Sequence, residues 1–182
     1  GLEKSPGEVL DWFERYPPVS GAGMVRLARA HEAIGNEQDA LAWARRAWTG
    51  ARLNTAMEAE VVGVFGSAFT PADHAARLDY LIWEGLAVEA RRNLRIVDED
   101  ARAVAWARIA LMQRAGGVDT AIAAVPEALL SEPGLVFERM RWRRRAGKTD
   151  DAVALLLPAP VELGRPGPWW TERKILIRTS LG

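Results

Sequence analysis

Residues 139–153, RMRWRRRAGKTDDAV, set five arginines within seven positions and follow them with Gly147 and, five residues later, Ala152. The stretch decides the fold because its second half recurs. GNEQDA begins at Gly35, GLAVEA at Gly85, GGVDTA at Gly116 and GKTDDA at Gly147, and each places an alanine five residues after its glycine: Ala40, Ala90, Ala121 and Ala152. The last three glycines are 31 residues apart, and the first interval of 50 leaves room for an additional helix near residues 54–66. A glycine can end a helix in a left-handed turn, and an alanine early in the next helix lets two helices pack closely. A helix-turn-helix period of about 31–34 residues predicts an all-α fold, an α-solenoid or superhelix of antiparallel, tetratricopeptide-like helix pairs. The stop signals divide it into about 10–11 helices.

Working outward from these turns, the remaining punctuation fits helices throughout. Met24, Leu27, Ala28, His31 and Ile34 repeat at helical spacing. Ser20 is placed to cap a helix ending at Gly35, Asn36 the next through Trp48, and Asn54 or Thr55 another to about Gly66. Thr70-Pro71 is a cap followed by proline at the first helical position, and Asp98 caps a long helix that Gly116-Gly117 terminates. VVGVF at 61–65 is a short run of ambiguous period. After Ala152 the prolines of LPAPVELGRPGP forbid a continuous helix. The organisation expected is a helical-repeat segment over 1–157, a proline-rich connection over 158–168, and the start of a further repeat at 169–182, the array being cut there. The opening GLEKSPGE reads as a trimmed or tagged start.

Composition limits what the arginine run can mean. Twenty-four basic residues balance 24 acidic ones, and 49% of the 182 residues are hydrophobic. Between residues 132 and 151, Arg139, Arg141, Arg143, Arg144, Arg145 and Lys148 face Glu132, Glu138, Asp150 and Asp151, an excess too small for a phosphate-binding surface. Nucleic acid is therefore not expected as a partner. At about 100° per residue Leu135, Trp142 and Ala146 share a face, and Arg141, Arg144 and Arg145 lie opposite, where charged groups meet water. Arg139 and Arg143 flank the apolar side and are expected to pair with acids of neighbouring helices. A solvated, ion-paired face is the favoured reading, with an anionic polymer surface second.

Catalytic constellations are missing. No cysteine is present, and neither His31 nor His74 has a second ligand at metal spacing, so no metal or other cofactor is expected. Asp98, Glu99, Asp100, Asp150 and Asp151 stand at helix starts, where acids complement the dipole. Glu58 and Glu60, two apart on a helix, point to different sides. Gly21-Ala22-Gly23 lacks the rest of a dinucleotide loop. Of the eight tryptophans, Trp43, Trp83, Trp106 and Trp142 sit among apolar helical residues and are expected in the core. Trp169 and Trp170, beside the proline-rich connection, join Arg141, Arg144 and Arg145 as possible glycan or partner contacts. No apolar run is long enough to span a membrane.

Six stretches together carry a resemblance: FERYPPVSGAGMVRLARA, RRAW, FTPADHAARLDYLIWEG, RIALMQRAGGVDTAIAAVPEAL, PGLVFERMRWRRRAGKTDDAVALLL and GRPGPWWTERKILIRTSLG. In this order, over residues 9–182, the chain resembles the N-terminal helical superhelix domain of soluble lytic murein transglycosylases of the alphaproteobacterial type. The resemblance implies a periplasmic array of helices curled into a U or ring, against which a lysozyme-like catalytic domain of the same polypeptide docks. It implies peptidoglycan as the substrate of the whole enzyme, which cleaves between N-acetylmuramic acid and N-acetylglucosamine and leaves 1,6-anhydro ends. The family's catalytic glutamate lies in a Glu-Ser motif. This chain has no Glu-Ser dipeptide, so no catalytic residue carries over, and Arg77, Asp79, Arg139 and Trp142 are read as inter-helix contacts. The expectation is a noncatalytic scaffold segment. The alternative is a tetratricopeptide-like adaptor that binds a protein in its groove.

Overall fold

A computed structural model describes residues 4–156 and 162–181, and among them the chain is all-α: eleven α-helices, three short 3-10 turns and no strand. Residues 157–161, the last residue of the expected repeat segment and the first part of the expected proline-rich connection, lie outside the described residues. Contacts divide the chain into two compact units, Gly1–Leu81 and Ile82–Gly182.

The first unit contains α1 (Pro6–Arg15), α2 (Gly21–Ala33), α3 (Glu37–Gly50), α4 (Thr55–Phe65) and most of α5 (Pro71–Trp83). Polar caps set the starts. The Ser20 hydroxyl accepts from Gly23 N, Asn36 Oδ1 from Asp39 N, and Asn54 Oδ1 from Met57 N at 2.9 Å. Thr70 and Asp73 form a reciprocal box at the start of α5. Such caps satisfy amides that the first helical turn leaves without partners. The ambiguous VVGVF run is helical, the second half of α4. Consecutive helices pack on each other, α1 on α2, α2 on α3, α3 on α4, and α2 also meets α4. Their core joins Val25, Ala28, Ala40, Ala44, Trp48, Val61, Phe65 and Phe69. Trp48 is stacked near Phe69 and is met edge-on by His74. The expected stripe on α2 holds through His31, which is partly buried, but Ile34, just after the helix, is exposed.

The second unit holds α6 (Ala87–Asn93), α7 (Glu99–Gln113), α8 (Val118–Ala123), α9 (Pro133–Arg145), α10 (Thr149–Ala154) and α11 (Pro166–Leu181). α11 thus begins at Pro166, inside the expected connection. α7 packs on α8 and α9, and α9 packs on α10 and α11. Two clusters result. Val104, Ala107, Leu111, Val118, Ala121 and Leu135 form one, and Val136, Phe137, Met140, Ala152, Trp169 and Leu176 the other. α9 contributes to both, so it is covered on two sides.

The repeated glycine–alanine signal has a physical basis in three of its four occurrences. Gly35, Gly85 and Gly147 have φ of 78°, 74° and 74°, the left-handed conformation that only glycine adopts without strain. Ala40, Ala90, Ala121 and Ala152 are all buried. The third turn differs. α7 stops at Arg114, itself left-handed at φ 54°, and the second left-handed residue is Gly117, not Gly116.

Candidate functional site

Two buried arginines organise the two units separately. In the first, Arg77 is fully buried. Its Nη1 donates to the carbonyls of Trp48 at 3.1 Å and Ala51 at 2.7 Å, and its Nη2 meets Glu58 Oε1 at 2.6 Å. Those carbonyls belong to the end of α3, where the last turn leaves acceptors without helical partners and the dipole favours a cation. The guanidinium also lies over the Trp48 ring, 4.9 Å from its centroid. Arg77 is therefore the inter-helix contact expected of it. Glu60 turns the other way from Glu58, to Arg29 at 3.3 Å. Nearby, burial pushes the Asp73 carboxyl upward, but hydrogen bonds from Thr70 and the Arg45 guanidinium outweigh it and hold the group below the usual range.

In the second unit the ionic node lies on α9. Arg108 of α7 is buried against Gly134, stands over the Trp83 ring at 5.2 Å, and has Glu132 Oε1 at 3.8 Å. Gly134 makes room for this close approach: a Cβ there would displace the Arg108 guanidinium. One turn on, Glu138 is 3% exposed, and Arg141 Nη1 stands 3.5 Å from its Oε1. Glu172, which α11 supplies, is 6% exposed; Arg144 grips it with Nε at 2.5 Å and Nη2 at 3.1 Å, and Arg141 Nε approaches at 3.6 Å.

The arginine run is thus ion-paired as expected, but it is only partly open to water. Arg141, Arg144 and Arg145 are half-buried, and the face expected to meet solvent is met by α11 and its Glu172. Burial, reinforced by Arg141, lowers the Arg145 pKa. Arg139 is half-buried; burial first and Arg143 second lower its pKa, and its Nε has no hydrogen-bond partner among the described residues, against the expected pairing with an acid. Burial also pushes the Glu138 carboxyl above its usual range, against the pull of Arg141, Arg108 and Arg145.

The tryptophans separate sharply. Trp169, expected as a contact residue, is wholly buried: it meets Phe137 edge-on at 5.3 Å and donates Nε1–H to the Leu163 carbonyl at 3.1 Å. Trp170, next to it on α11, is 62% exposed. Trp43, Trp83 and Trp142 are partly buried against the cores as expected, but Trp106 is 48% exposed with Arg91 stacked on it. Ala146, placed on the apolar face of α9, is exposed at the helix end.

Beside the ionic node lies a cavity of about 260 Å³. Phe137, Glu138 and Glu172 form its buried floor, Trp83 and Arg141 its half-buried wall, and Pro168 and Thr171 its exposed rim. Sequence reading missed Trp83, Glu138 and Glu172 as a group because 89 residues separate Trp83 from Glu172. Arg141 is the one site candidate that the structure brings into this cavity's lining. Among the described residues no cluster of acids and histidines could hold a metal ion, and no helix is long and apolar enough to cross a membrane. No family model, curated protein or solved structure matches this chain.

Proposed function

We propose that the chain is a noncatalytic superhelical scaffold segment of a periplasmic peptidoglycan lytic transglycosylase, holding glycan strands or the catalytic domain in position. The observation that carries this reading is the use made of the residues behind the resemblance. Arg77, from DHAARLDYLIWEG, fastens the end of α3, while Trp169 and Glu172, from PWWTERKIL, dock α11 onto α9. These are joints between helices. Packing of α2 on α3 and α4, of α7 on α8 and α9, and of α9 on α10 and α11 supports a solenoid arrangement of the tetratricopeptide kind.

The test is product analysis on intact sacculi. The native polypeptide carrying this segment releases 1,6-anhydro-muropeptides, and deleting the segment lowers release from sacculi more than from soluble glycan fragments. The 182-residue chain alone releases nothing. Muropeptides with ordinary reducing ends, or any cleavage by the chain alone, would overturn the reading.

A further inference from the structure

The repeat glycines carry a second signal. Eight residues before Gly85, Gly116 and Gly147 stands an arginine each time: Arg77, Arg108 and Arg139. In the first two repeats this cation is buried and the fold supplies its acid, Glu58 Oε1 at 2.6 Å from Arg77 and Glu132 Oε1 at 3.8 Å from Arg108. Each of the two also rests on an indole ring, of Trp48 and Trp83. One helical turn on, each has an apolar neighbour, Leu81 and Met112.

The third repeat departs on every count. Arg139 is half-buried, and among the described residues no acid and no aromatic ring is paired with its guanidinium. Residues 157–161, LPAPV, contain no acid either. Where the other two repeats have leucine and methionine, this one has Arg143, also half-buried and without an acid partner among the described residues. Burial and Arg143 both act against the Arg139 charge. The rest of the run is different, since Arg141 and Arg144 reach Glu172, and Glu138 and Glu172 both act on Arg145. Two like charges one turn apart repel, and partial burial leaves them less water to offset it.

A position that closes on a carboxylate in two repeats thus carries, in the third, twice the charge and no acid. Guanidinium forks match the two oxygens of a carboxylate. We propose that Arg139 and Arg143 form a docking site for a side-chain carboxylate of an acidic peptide segment, held by Nη1 and Nη2 of Arg139 and by the Arg143 guanidinium. Arg139 Nε is sealed from solvent and takes no part. The site follows from the repeat register and does not rest on the scaffold reading above.

The experiment titrates the whole 182-residue chain with acetyl-Ala-Glu-Ala-amide and follows the arginine side-chain N–H resonances by NMR. Acetyl-Ala-Gln-Ala-amide, which lacks only the charge, is the control. Saturation on the order of millimolar is expected with the first peptide and none with the second. Arg143→Met restores the residue type of the second repeat and weakens binding about tenfold, whereas Arg26→Gln, which removes one exposed charge on α2, leaves it unchanged. Arg143→Glu fills the position from within: it abolishes binding and raises the urea midpoint. Equal shifts with the two peptides, a shift that survives Arg143→Met at full affinity, a lower urea midpoint in Arg143→Glu, or tighter binding of inorganic phosphate than of the glutamate peptide would each overturn the proposal. Because the readout is binding by this chain, its failure is distinct from a failure to find anhydro products with the native polypeptide.

Discussion

Replacing Arg77 with methionine tests whether a buried cation holds the first unit together. Methionine fills similar volume but removes three contacts at once: those to the Trp48 and Ala51 carbonyls and the ion pair with Glu58, whose side chain is 12% exposed. Removing one partner of a buried pair costs about 3–5 kcal/mol. Glu58 keeps some access to water, so the lower end applies, about 3 kcal/mol, which is roughly a hundredfold in the opening equilibrium. Global melting would mix the two units. Peptide-resolved hydrogen exchange avoids that by reading α3 and α5 directly. In Arg77→Met these segments should exchange about a hundredfold faster while α9 and α11 keep their protection. Arg77→Lys, which retains the charge but not the planar fork, should fall between the two. Protection in α3 within about threefold of the parent would refute the view that Arg77 fastens that helix end.

Trp169→Ala should destabilise the second unit by about 3–5 kcal/mol, read as lost protection in α9 and α11, whereas Trp170→Ala should stay within about 0.5 kcal/mol. The two repeat glycines 31 residues apart should behave oppositely. An added Cβ meets nothing within 4 Å at either, but Gly147 has φ 74° and Gly116 does not have positive φ. Gly147→Ala should cost about 1 kcal/mol and Gly116→Ala should be neutral or stabilising by up to about 1 kcal/mol, measured by urea midpoints; equal effects would contradict the turn assignment. Glu138 binds its proton more tightly folded than unfolded, because burial disfavours its ionised form. The parent therefore loses stability as pH rises from the ordinary carboxyl range to the raised value, and Glu138→Gln does not. The stability of Glu138→Gln minus that of the parent should climb across that window and level off above it, and a pH-independent difference would count against the buried charge.

The all-α class was legible because its determinants are local. A cap, a glycine and a buried alanine each act within one turn of chain, so Ser20, Asn36, Asn54, Thr70 and Asp98 mark helix starts correctly from sequence. The third turn was misplaced by a residue-type argument: Arg114 takes the left-handed position at some cost in strain, which no glycine search would find. The arginine face is ion-paired as expected, but its partial burial was missed for a longer-range reason. Amphipathic periodicity assumes that one side of a helix meets water, but α9 is packed on two sides, and the acid that makes this tolerable, Glu172, lies 28 residues from Arg144. Trp169 and Trp170 illustrate the same limit: identical neighbours in sequence, separated by the 100° that an α-helix turns between them, one in the core and one in solvent.

Among the described residues the four buried ionic side chains, Arg77, Arg108, Glu138 and Glu172, are two cations and two anions. Since the whole chain has a formal net charge of zero, the charge left outside sums to zero as well. Net charge then gives the chain no overall attraction or repulsion for a charged strand. Its encounters with any partner should proceed at the unsteered rate, about 10⁵–10⁶ M⁻¹s⁻¹, and that rate should change little with ionic strength. Whatever selectivity it has is decided after collision, in how long a ligand stays.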